Sequence, residues 1–106
     1  MTAATFTTSV NRLLAHVSHW EQPRWSSPAA GGSATRADVV FTLVQQLADL
    51  GADAESRERR PVPREHDLVL ADQLRVMAAD LVEATPPDAL LAEAAAAVET
   101  TRKAFP

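Results

Sequence analysis

The sequence predicts an all-α fold, a four-helix bundle. Apolar residues recur at i, i+3, i+4 and i+7 in four separate stretches. Runs of β-branched and aromatic residues of the kind that make strands are missing, and tyrosine is absent. Glycine is scarce, with three, while alanine dominates. The 106 residues suit one domain, 1–106. A chain of this length buries roughly two thirds of the surface that it exposes when unfolded.

The first helix is expected from about Thr7 to His19 or Trp20. Phe6, Val10, Leu13, Leu14, Val17 and Trp20 fall on one face, and Thr7, Thr8 and Ser9 are the candidate N-caps. Residues 21–33, EQPRWSSPAAGGS, read as a long loop. Pro23 is expected to end the helix, and Pro28 with Gly31-Gly32 marks irregular chain. Trp25 inside this loop is expected to pack as a lid over one end of the core.

The second helix, within 34–50, holds the longest apolar-rich run, ATRADVVFTLVQQLADL. At about 100° per residue, Val39, Val40, Phe41, Leu43, Val44, Leu47 and Leu50 cover more than half of its circumference. Ordinary surface helices carry a narrower stripe, so this one must touch at least two neighbours. Thr35 and Asp38 form a capping box with Asp in place of Glu. Gly51 is the expected stop.

Residues 51–64 read as a second long connection, of which 52–59 can continue as a ragged helix. The third helix is expected from Pro63 or Arg64 to Ala84, with Pro63 in its first turn and Glu65 and Asp67 at its positive end. Its core face is Leu70, Ala71, Leu74, Met77, Ala78, Leu81 and Val82, leaving Val69 and Val76 outside. At Thr85-Pro86-Pro87-Asp88, Thr85 reads as a cap and Pro86 as the first helical residue of a fourth helix ending near Lys103. Its inner face is Leu90, Leu91, Ala94, Val98 and Phe105, and Arg102 and Lys103 complement its negative end. The short link predicts that helices three and four are antiparallel neighbours. The longer links permit a crossover, but up-down-up-down order is the expected topology, with long loops after helices one and two.

Net charge is −4 and no helix face gathers Lys or Arg, which speaks against nucleic-acid or anionic-membrane partners. Absence of cysteine excludes disulfides, thiolate zinc sites and thiol catalysis. The first ten residues have neither the basic nor the apolar part of a signal peptide, and no apolar run approaches the roughly 20 residues of a membrane span. A cytoplasmic location fits. Nine Arg to one Lys, with abundant Ala, suggest a GC-rich, bacterial coding genome.

Candidate chemistry is sparse. His16 and His19 lie three apart on one side of helix one, close enough to share a metal but short of ligands. The remaining histidine, His66, should sit at the opposite end of an up-down-up-down bundle, roughly 20 Å away, so neither a metal nor any other cofactor is expected. DinB-like bundles use three histidines, but their i, i+4 pair is lacking here. Histidine phosphotransfer domains follow their histidine with Lys and Gly, whereas His16 is followed by His19 and Trp20. The chain is assigned to neither family. Carboxylate pairs, nucleophile sets and phosphate loops are also missing, so an enzyme has little support. The cluster Arg57, Arg59, Arg60 and Arg64 is diluted by Glu55, Glu58 and Glu65 and reads as a solvated loop, with an acidic partner as the alternative.

Two functional readings stay open. In the first, the chain is a non-enzymatic interaction module, binding a protein partner or itself as a homodimer through Phe41, Val69 and Val76. In the second, His16, His19, Trp20, Arg24 and Trp25 form a small-ligand or metal site at the helix-to-loop junction.

Overall fold

Four stretches of the chain bury one helical stripe each, and the helices form where those stripes lie. The computed structural model describes residues 1–105. Its helices are α1 (Ala3–Val17), α2 (Gln22–Trp25), α3 (Arg36–Ala54), α4 (Leu70–Glu83) and α5 (Asp88–Lys103), with a 3₁₀ turn at Asp67–Val69 leading into α4. The four helices expected from sequence are α1, α3, α4 and α5. No strand is present among the described residues, only an isolated bridge between Pro28 and Thr35.

The helix ends differ from expectation in instructive ways. Thr2, not Thr7, Thr8 or Ser9, caps α1, its hydroxyl accepting from the Thr5 N–H at 3.1 Å. The early start makes the fully buried Phe6 a helical residue, held in the first turns of the stripe. Pro23 does not end α1, which is already over; it stands in the first turn of α2, where a missing N–H costs nothing. The Thr35–Asp38 capping box forms with both bonds at 3.1 Å. Hydrogen bonding from the Thr35 backbone N–H and from its side chain, with help from Arg64, holds the Asp38 carboxyl below its ordinary pKa.

Gly51 does not stop α3. The helix runs through it to Ala54, and the terminator is Ser56 at φ 55°. The Ser56 N–H reaches Asp53 O at 3.1 Å and the Arg57 N–H reaches Ala52 O at 2.8 Å, the bond pair of a Schellman motif. Thr85 likewise is not an N-cap. It ends α4 at φ 50°, its N–H bonded to Val82 O at 3.1 Å. Pro86 has no N–H to add the second bond, and Pro87 takes the N-cap position of α5. On α5, Ala95 and Thr101 are buried and Leu90 is half-buried; the Thr101 hydroxyl is satisfied by Ala97 O at 2.9 Å.

The largest correction is topological. Trp20, just past α1, packs on Phe105, just past α5, with ring centroids 5.0 Å apart, so these helices run parallel. Arg36, opening α3, lies over the same Trp20 ring. Asp67, opening the turn before α4, accepts from Gln22 Nε2 at 2.9 Å. Both α3 and α4 therefore start at the tryptophan end. The order is up-down-down-up, not up-down-up-down, and α4 and α5 stand diagonally rather than as neighbours: α4 packs on α1 and α3, and so does α5.

The crossover that allows this is residues 55–66, a strap lying along α3. No helix starts at Pro63. The two prolines hold the strap extended, and Val62 plugs it into the core. Gln45 grips it twice, donating to Arg60 O at 3.1 Å and accepting from the Val62 N–H at 2.8 Å. Farther along, Gln73 donates to Pro63 O, and Arg64 reaches Asp38 at 3.2 Å. A dozen extended residues reach about 37 Å, more than the roughly 28 Å of a helix as long as α3.

Two backbone positions carry a removable cost. Gly51 is buried in the last turn of α3, and a methyl group there meets nothing within 4 Å. Thr85 is a β-branched residue in the left-handed region. Gly51→Ala is expected to raise stability by about 0.5–1 kcal/mol, and Thr85→Gly by up to about 1 kcal/mol. Urea unfolding followed by circular dichroism checks both; a loss of stability in either variant contradicts that reading.

Candidate functional site

The tryptophan end is where most of the chemistry-bearing residues meet. α2 folds back because Trp25 is an apolar residue with nowhere to go in solvent. It is 1 % exposed, the most completely buried large side chain of the 21–33 segment, as a lid should be. Trp20 crosses it edge-on at 4.9 Å and meets Phe105 edge-on at 5.0 Å. Such T-shaped pairs add roughly 0.5–1.5 kcal/mol each beyond area burial. His16 stands exposed against Trp20, with centroids 6.2 Å apart.

Arg36 completes this cluster. Its guanidinium carbon is 5.4 Å above the Trp20 centroid, and its buried Nε makes no hydrogen bond. The indole face takes the place of the missing acceptor. Sequence reading could not have found it, because Arg36 and Trp20 are joined only by the fold.

Of the five residues of the ligand reading, His19, Trp20 and Arg24 line one open cleft of about 470 Å³ with Glu21, Pro23 and Ser27. Trp25 is buried against Trp20 and does not line the cleft, and neither does His16, which meets the Trp20 ring edge-on. The indole faces are spent on each other, on Phe105 and on Arg36, which leaves the cleft with polar, exposed side chains.

The crossover also changes the histidine geometry. His66 stands at the tryptophan end, not at the far end as up-down-up-down order required, because Asp67 is bonded to Gln22. Its Nδ1 accepts from the Leu68 N–H at 3.1 Å. Among the described residues, no three His, Asp or Glu side chains converge as metal ligands.

The three residues of the interface reading fare differently. Val69 and Val76 are 37 % and 51 % exposed, on the side of α4 away from the core. Phe41 is half-buried, packed against the core, with the Arg64 guanidinium 4.8 Å over its ring. Leu68, beside Val69 in the 3₁₀ turn, is 51 % exposed. Helical periodicity hid it, because the turn places it off the α4 register; the apolar pair Leu68-Val69 just ahead of the stripe was the available signal.

The arginine cluster lies on the strap and is mostly paired. Arg57 meets Glu55 at 2.8 Å, Arg59 meets Asp53 at 2.6 Å, and Arg64 meets Asp38. Hydrogen bonding from Arg59 holds the Asp53 carboxyl below its ordinary pKa. The Arg60 guanidinium has no partner among the described residues.

The chain matches no protein-family model, no curated protein and no solved structure. No described helix is long and apolar enough to cross a membrane.

If the tryptophan end is a core element, its members separate by burial. Trp25→Ala is expected to cost about 3–5 kcal/mol, whereas His19→Ala and Arg24→Ala should stay within about 0.5 kcal/mol. Chemical denaturation of the three variants tests this, and a near-neutral Trp25→Ala contradicts it.

Proposed function

We propose that the chain is a non-catalytic interaction module that docks a protein, in the first instance a second copy of itself, through the outer side of the 3₁₀ turn and α4. The observation that carries this reading is the exposure of Leu68, Val69 and Val76 together. Val69 and Val76 are seven residues apart, two helical turns, so they sit on one side about 10 Å from each other. Single exposed apolar residues are ordinary. Two in the 3₁₀ turn and a third two helical turns farther along α4 make a small apolar surface of the kind that association covers. Phe41 contributes less than the sequence suggested, since Arg64 shields its ring.

The charge pattern supports a rim round this patch. Asp72 and Arg75 pair with each other on the same helix, and Asp80 and Glu83 follow. Apolar residues ringed by charges resemble the centre and edge of a protein interface.

The test is native mass spectrometry of untagged protein at tens of micromolar. A dimer is expected, reduced to monomer by Leu68→Asp and by Val76→Asp with the circular dichroism spectrum unchanged. A wild type that stays monomeric at every concentration, or a dimer indifferent to both substitutions, removes the self-associating reading.

A further inference from the structure

A cavity of about 280 Å³ lies between the strap and the α3–α4 pair. It belongs neither to the tryptophan end nor to the exposed patch. Leu47 and Gly51 of α3 and Met77 of α4 give it an apolar lining, the strap from Pro61 to Pro63 closes one side, and Arg57, Arg60 and Asp80 stand at its exposed edge.

Two features of this cavity have no structural purpose in the fold. Gly51 is buried inside a helix that would be better made with alanine, and no neighbour uses the space its missing Cβ leaves. A glycine that admits no close-packed partner keeps the lining open. Arg60 is the second. Its fellow arginines Arg57, Arg59 and Arg64 hold carboxylates at 2.8, 2.6 and 3.2 Å, while its own guanidinium has no partner among the described residues. Asp80 alone supplies negative charge among the lining residues. With Arg57 held by Glu55, Arg60 is the guanidinium at the opening that has no ion-pair partner among the described residues, and so the donor free to take an anionic group there.

We propose that this cavity binds a small amphipathic monocarboxylate, with its alkyl chain against Leu47, Gly51 and Met77 and its carboxylate on Arg60. The planar guanidinium presents paired donors that match a carboxylate's two oxygens. The volume is near the roughly 300 Å³ lower limit of small-molecule pockets, which selects a medium-length chain over a long one.

The experiment is calorimetric titration of the full chain with octanoate, using octanol as the uncharged probe of similar length. Octanoate is expected to bind at one site with a Kd of roughly 0.05–0.5 mM, and octanol at least about tenfold more weakly. Arg60→Gln should weaken octanoate about tenfold and leave octanol unchanged. Gly51→Ala, which should fold at least as well as the wild type, should weaken both by partly filling the cavity. Circular dichroism of both variants verifies their fold. Absence of saturable octanoate binding, equal affinity for octanol, or binding untouched by either substitution overturns the proposal.

Discussion

The grip of Gln45 on the strap is the contact on which the helix order depends. Two parallel neighbours such as α3 and α4 cannot be joined by a tight turn, so the chain must return the length of α3 before α4 begins. A returning segment carries backbone groups that need partners, and here no sheet provides them. The Gln45 amide offers a donor and an acceptor at once, to Arg60 O and the Val62 N–H, and so takes the part of a neighbouring strand. Val62 can then be buried without orphaning its own N–H. From this follow the start of α4 beside α2, the bond between Gln22 and Asp67, and the diagonal placement of α4 and α5. Asp38 ties the same region together, serving the Thr35 cap and the Arg64 ion pair with one carboxylate.

The tryptophan end shows why residue type alone is a poor guide to a site. Two indoles, two histidines and an arginine within ten residues of sequence look like a recognition surface. In the fold the indoles are turned inward, and the surface they leave is His19, Arg24 and an edge of Trp20. An aromatic ring that meets two others edge-on and carries a guanidinium on its face is committed to the core. The cluster gathers the ends of α1 and α5 and the start of α3, and that gathering is sufficient reason for its composition.

Much of this was legible in the chain. The four stripes, the capping box at Thr35 and the lid role of Trp25 all rest on local chemistry, where apolar spacing and side-chain reach decide the outcome. The helix ends were less legible because the left-handed terminators are Ser56 and Thr85, residues that do not advertise that conformation, while Gly51, which does, lies inside a helix. Topology was misread for a different reason. A proline-bound segment of a dozen residues fits either a loop at one end or a return along a helix, and Gln45 decides between them through bonds to residues 15 and 17 positions away. The same ambiguity hides that His66 lies at the tryptophan end. Among the site residues, exposure of Val69 and Val76 followed from the α4 stripe, whereas Leu68, Arg36 and the unpaired Arg60 depend on tertiary placement that no local pattern encodes.

A sequence that agrees with its fold at every level leaves few features unexplained, and those that remain are where function is to be sought. Here they are not scattered. Gly51 faces a space bounded by Met77 on α4, and the residue just before Met77, Val76, stands exposed on the outer side of that helix. Helix α4 thus packs firmly through Leu70, Leu74, Ala78 and Leu81, and bears the unexplained residues on its other flanks. Placing α4 demanded the crossover, and the crossover roofs the cavity. An up-down-up-down bundle of the same four stripes would need no strap along α3 and so would lack the cavity, whereas the exposure of Val69 and Val76 follows from the α4 stripe in either order. The less economical topology is therefore tied to the cavity, a space for which the fold itself has no use.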